Sequence, residues 1–265
     1  MTLYAIEDGW FDADPAVMFP KSDPAAWAPH IGESGMLRIS IGCFLVADGS
    51  KSTLIDTGMG SRPVPGGRSG QLPQALALIG TRPEDVANVI HTHMHADHMG
   101  GNMLQPGQPM FPNATHRVQA AELDHWANAT GEVAERARAM IEPLVEAGKV
   151  STNSGDADIV PGISVVSTPG HTPGHQSVVL SSAGARAVIA GDVMHHPLQA
   201  THPEWGVTAD LDPARANESR AEMVAQLTGS GIVLAGGHFP RPGMGYLETS
   251  GEATVFVAGT TVHVA

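Results

Sequence analysis

The densest chemistry in this sequence lies in eight residues, His91-Thr-His93-Met-His95-Ala-Asp97-His98. Imidazole nitrogens and carboxylate oxygens are the donors that zinc and similar divalent ions take. In extended backbone alternate side chains point the same way, so His93 and His95 can face one point. A turn at Asp97 and His98, followed by Gly100-Gly101, would carry two more donors to a neighbouring point. Three further polar positions stand after apolar runs: His171 in Thr168-Pro-Gly-His171, Asp192 in Gly191-Asp192, and His238 in Gly236-Gly-His238. His30, His116, His125 and His263 read as ordinary surface or core histidines, and His91 as structural. His175, which repeats the Pro-Gly-His pattern, is a candidate for supporting a ligand rather than being one.

The elements that must position these groups alternate between strands and helices. Met36 to Val46 and Ser52 to Ile55 flank Asp48-Gly49 and read as a hairpin ending at Asp56-Thr57-Gly58. The Gly- and Pro-rich stretch Gly60 to Gly70 reads as a loop, and Gln71 to Ile79 as a helix stopped by Gly80. Pro83-Glu84-Asp85 reads as a short helical turn, and Val89-Ile90 open a strand that runs into the histidine cluster. Residues 118–130, 132–147 and 213–228 have helical character. Strands are expected at 163–167, 177–181, 186–190, 232–235, 254–257 and 261–264. Residues 1–35, rich in Pro, Asp and aromatics without a clear period, read as an N-terminal extension that lies over the body near the site. Residues 36–265 form the main domain. The polar clusters fall at strand C-terminal ends, where a rigid scaffold presents loops.

The pattern His93-x-His95-x-Asp97-His98 after a strand resembles the metallo-β-lactamase superfamily, whose signature is H-x-H-x-D-H. Starting the pattern at His91 would put Ala96 where the Asp must stand, so His93 is the first ligand. Asp56 in Leu54-Ile-Asp-Thr-Gly58, His171, Asp192 and His238 follow in the family's order, and the likeness spans about residues 36 to 240. The resemblance implies an α/β fold, an αββα sandwich of two mixed sheets packed face to face with helices outside. It also implies two divalent metal ions, zinc first, with manganese, cobalt or iron(II) as alternatives. By it, His93, His95 and His171 hold one ion, Asp97, His98 and His238 the other, and Asp192 bridges them. Asp56 orients the ligand loop.

The stretch Gly191 to Pro197, with Pro203-Glu-Trp205, Asp210-Leu-Asp212 and Gly237 to Gly245, is similar to the branch holding methyl parathion hydrolase and related lactonases. That likeness implies a hydrolase in which a hydroxide shared by two ions attacks a lactone, carboxylic ester or phosphotriester, with Asp97 moving protons. Acyl-homoserine lactonases often carry a tyrosine three residues after the bridging aspartate. Here that residue is His195, a candidate to hydrogen-bond the substrate or the leaving oxygen. A glyoxalase-II-like thioesterase, a β-lactamase and a non-enzymatic metal-binding domain are the competing readings. Trp10, Phe11 and Phe19 are candidates for an apolar pocket wall, with core packing as the alternative, and Trp126 and Trp205 share that ambiguity.

Composition limits the partners. Fourteen Lys and Arg against 27 Asp and Glu give a formal net charge of −13, which argues against nucleic acid and against an acidic membrane surface. The expected partner is a small, neutral or partly apolar substrate, and the aromatic N-terminus suggests a homodimer. The one cysteine, Cys43, lies in the apolar run Ile41–Val46 and reads as a buried filler. The N-terminus has no basic start followed by an apolar stretch, and no run is long enough to span a bilayer, so the cytoplasm is the expected compartment.

Overall fold

The structure is a computed structural model that describes residues 1–49 and 51–259. Its first sheet runs β1 (Thr2–Ala13), β2 (Leu37–Asp48), β3 (Lys51–Ile55), β4 (Val86–Ile90), β7 (Thr115–Gln119), β8 (Val150–Asn153). The first three strands are antiparallel and the rest parallel. The second sheet runs β15 (Ala253–Ala258), β14 (Met244–Ser250), β13 (Val233–Ala235), β12 (Ala185–Ile189), β11 (Gln176–Ser182), β10 (Ile163–Ser167), β9 (Ala157–Val160), with only β12 and β13 parallel. A short ribbon, β5 (Met103–Gln105) with β6 (Gln108–Pro109), stands apart. The helices are α1 (Pro15–Met18), α2 (Leu72–Leu78), α3 (Ala96–Met99), α4 (Ala120–Asn128), α5 (Glu132–Glu146), α6 (Leu198–Thr201) and α7 (Pro213–Leu227).

Strand β2 shows how the layers arise. Its residues are apolar almost without a break because both faces are covered, as expected for a strand inside a layered fold. Phe44 and Val46 point inward and meet Val165, Val178, Leu180 and Ile189 of the second sheet. Cys43 and Leu45 point the other way, onto Leu72 and Leu76 of α2. On the far side, Val188 and Leu234 of the second sheet pack against Met223, Val224 and Leu227 of α7. Helices α4 and α5 cover the remaining flank of the first sheet through Trp126, Ile141 and Leu144 around Val118. The result is the expected helix–sheet–sheet–helix sandwich.

Two expectations differ in detail. Thr2–Ala13 do not lie over the body; they pair with β2 along their whole length as the first sheet's edge strand. Asp8, Gly9 and Asp12 break the alternation that would have marked a strand, and Asp8 turns inward to accept the N–H groups of Met59, Gly70 and Leu72. Val118 belongs to β7, with α4 starting two residues later. The strand expected over 261–264, and His263 with it, lies outside the described residues.

Candidate metal centre

Strand ends do the positioning. Ile55, Ile90, Ser167, Ile189 and Ala235 close β3, β4, β10, β12 and β13. The loops that follow carry Asp56, then His93 to His98, then His171, Asp192 and His238. Strands β3 and β4 run parallel, as do β12 and β13, and β10 shares the direction of β12 through β11. These ends therefore open on one edge of the sandwich.

Two donor sets meet there. His95 Nδ1 lies 3.0 Å from both His93 Nε2 and His171 Nε2. Asp192 Oδ2 completes that set, 3.1 Å from His171 Nε2 and 3.6 Å from His93 Nε2. In the second set, His98 Nε2 and His238 Nε2 are 3.4 Å apart, with Asp97 Oδ2 at 3.8 Å and 3.5 Å from them. Asp192 turns its other oxygen, Oδ1, to this set, 3.2 Å from His98 and 3.3 Å from His238. Four donors at zinc distances of about 2.0–2.1 Å in a tetrahedron stand roughly 3.3 Å from one another. The spacing found here is close to that.

The outer nitrogens fix which atoms face inward. His98 Nδ1 lies 2.8 Å from Asp56 Oδ2, His171 Nδ1 2.9 Å from Asp210 Oδ1, and His238 Nδ1 2.7 Å from the Ser40 carbonyl. All three partners only accept, so Nδ1 keeps a proton and Nε2 is the nitrogen whose lone pair a metal ion would take in place of a proton. Asp56 also accepts from the Thr92 N–H and hydroxyl, both at 2.8 Å, and it sits at φ 58°. A non-glycine residue held in that left-handed region is strained, and such strain is usually tied to a site. His175 supports the bridge: its Nε2 accepts the Asp192 N–H at 2.9 Å, while its Nδ1 faces the Thr168 carbonyl at 3.1 Å. Gly191 permits this contact, since a Cβ there would lie 2.6 Å from His175 Nε2 at φ 58°.

The electrostatics are those of a cation site. Burial works against a charge on His98, but Asp192, Asp56 and Asp97 outweigh it and hold its pKa well above the ordinary range. Burial likewise opposes a charge on His171, and Asp192 with Asp210 still lifts its pKa to about 9. Asp192 is held well below the ordinary carboxylate range despite its burial, through His98, His238 and His195. The buried carboxylates call for positive charge, and the lone pairs give a divalent ion somewhere to bind.

His195 joins the group. Its Nε2 lies 3.0 Å from Asp192 Oδ2, its ring stacks on His238 at 5.2 Å and 9°, and its buried Nδ1 has no hydrogen-bond partner among the described residues. Gln199 Oε1 fixes the backbone beneath it, accepting the His195 N–H at 2.6 Å. Asp192, His195 and His238 also make a third possible donor group.

All seven sequence-expected ligands converge, and so does His195. His91 lies apart, its Nε2 3.2 Å from His116 Nδ1 in a stacked buried pair. Of the aromatics, Phe11 sets its ring edge-on to His238 at 6.3 Å, whereas Phe19 is buried against Trp27 and Trp205 in a core cluster. Trp10 lies beneath the Arg38 guanidinium, and Trp126 meets His95 at 5.5 Å. Asp210, Gln199 and Glu122 support the site without having been assigned a role from sequence. Asp210 stood in a noted motif, but Glu122 looked like any acid in a helix.

Comparison with known proteins fits this geometry. Residues 40–238 match the family model for the metallo-beta-lactamase superfamily. An N-acyl homoserine lactonase of Bacillus cereus is 30% identical over 175 residues, 58% of this chain and 63% of that one. The matched region thus spans less than two thirds of that relative's length. Among solved structures, the hydrolase AbOPH of the beta lactamase superfamily has a TM-score of 0.85 at 28% identity, covering 98% of this chain and 95% of its own. AidC, described as a dizinc quorum-quenching lactonase, has a TM-score of 0.89 at 23% identity with the same coverage, a likeness of fold.

Proposed function

The chain belongs to the metallo-beta-lactamase superfamily, and on that premise we propose that it is a hydrolase of lactones, carboxylic esters or phosphotriesters that works with two divalent ions. The observation that carries this reading is Asp192, one buried carboxylate whose two oxygens face two separate donor sets. In the proposal His93, His95 and His171 would hold one ion and Asp97, His98 and His238 the other, with one oxygen of Asp192 turned to each set. Zinc is the first choice, and manganese, cobalt and iron(II) suit the same donors. Bound there, such ions supply Lewis acidity and bring the pKa of water down to about 7.

The chain's own groups divide the remaining work. Burial, outweighing the pull of Asp192, lowers the His195 pKa, and a neutral imidazole keeps one N–H for hydrogen bonding. His195 Nε2–H donates a hydrogen bond to the oxygen that leaves as the bond breaks and steadies its developing charge. Asp97, whose side chain keeps 21% of its surface, passes protons between site and solvent. Phe11, beside His238, gives the substrate an apolar wall. The lactonase named among the relatives puts lactones first in order.

A panel of lactones, aryl esters, phosphotriesters, β-lactams and thioesters, run on metal-loaded and chelated protein, tests the reading. Lactone or ester turnover abolished by chelation is expected; preference for thioesters or β-lactams would overturn the substrate assignment. His195→Ala should lower kcat by about 10²–10³-fold with both ions kept. Loss of an ion instead would make His195 a ligand.

A further inference from the structure

Glu122 is fully buried, in the first turn of α4, and no cationic side chain among the described residues pairs with it. Its charge is satisfied by N–H groups alone. Oε1 accepts the Met94 N–H at 2.9 Å and the Trp126 indole N–H at 2.7 Å, and Oε2 accepts the Gly174 N–H at 3.0 Å. Met94 lies between His93 and His95, and Gly174 follows His171 by three residues. One carboxylate therefore joins the two loops that supply the first donor set, one oxygen to each loop. Gly174 is what lets α4 come so near, since a Cβ there would lie 2.3 Å from the Glu122 nitrogen.

We infer that Glu122 is a positioning residue that sets the spacing of the two loops, so that His93, His95 and His171 converge on one ion. The second donor set is held differently, through Asp56 behind His98 and Ser40 behind His238, and neither touches Glu122. Its removal should therefore act on one ion and spare the other. The same two segments are also tied further out, by Gln176 N–H to the Thr92 carbonyl at 2.9 Å and the Gln176 amide to the His91 carbonyl at 2.8 Å. Those ties should keep the loops folded when Glu122 changes, so that only their fine spacing is lost. Glutamine has the same shape, yet its NH₂ must face either Gly174 N–H or the pair from Met94 and Trp126. A donor then opposes a donor in a buried site, where nothing else can satisfy either one.

The inference rests on the two-ion reading, and the experiment separates the two. Zinc affinity is measured by competition with a chromophoric chelator on the unaltered protein, Glu122→Gln and Trp126→Phe, with cobalt absorption as a second readout. In Glu122→Gln one ion should bind about 10–100-fold more weakly, the usual effect of losing a group behind the ligands. The other ion should be unchanged, and the cobalt spectrum should change for one ion only. Trp126→Phe keeps both loop bonds and should keep both affinities. Equal weakening of both ions, no weakening, or the same loss in Trp126→Phe would overturn the inference. Fewer than two ions on the unaltered protein would instead sink the two-ion reading. Hydrogen exchange on the unaltered protein tests the strut by itself, whether or not Glu122→Gln folds: the Met94 and Gly174 amides should be protected alike, and fast exchange at either would overturn it.

Discussion

His171 and Asp210 form a paired support behind the site: the imidazole donates Nδ1–H to Asp210 Oδ1 at 2.9 Å, with both side chains almost wholly buried. Asp210 is held in turn by the Val207 N–H at 3.1 Å and by the buried Arg220 guanidinium at 3.5 Å. Asp210→Asn keeps the shape and an acceptor but removes the charge that favours the metal-binding tautomer. Metal affinity at the His93, His95 and His171 set should fall about 10–100-fold. A chelator competition titration checks this, and unchanged affinity would make the pair merely structural.

A different test concerns two buried histidines that are not among the proposed ligands. Burial, reinforced by His91, lowers the His116 pKa to about 2, and burial with His30 lowers that of His196 to about 3, against an ordinary value of 6.5. Both are therefore neutral when folded, while the unfolded chain takes up protons below pH 6.5. Their stability contribution is present above 6.5 and is lost as pH falls toward the folded values. Each group can add up to about 1.4 kcal/mol per pH unit to that slope. His196→Phe keeps a ring against Trp27 but binds no proton, so its unfolding free energy should fall less steeply between pH 6.5 and 5. Parallel slopes would count against a buried neutral His196.

Phe11 offers a test of substrate contact. It is only partly buried and stands beside His238, on the margin of the core cluster in which Phe19 is fully buried. Phe11→Ala should raise KM for substrates with apolar groups several-fold while leaving kcat within about twofold, because it removes binding shared by ground and transition states. Steady-state kinetics across substrates of increasing apolar length would show it. A fall in kcat alone would place Phe11 in the chemistry instead.

What spacing alone could show was local, and the distant ligands His171, Asp192 and His238 came with the family resemblance. His93, His95, Asp97 and His98 lie within six residues, so spacing alone brought their donors together. The run in β2 was legible because burial on both faces leaves an unbroken apolar signal. Strand β1 was not, since Asp8 and Asp12 interrupt it for reasons found only in the folded contacts. The His91–His116 pair depends on the register of β4 against β7. Glu122 and Asp210 act through partners 28 to 52 residues away, a distance at which a single sequence carries no periodic trace.

The central claim is that Asp192 stands between two ions. Protein reconstituted with excess zinc, dialysed free of unbound metal and analysed for zinc per chain tests it most directly. The account predicts two ions per chain. A stoichiometry of one or none, in protein that is folded and was supplied with metal, would contradict it.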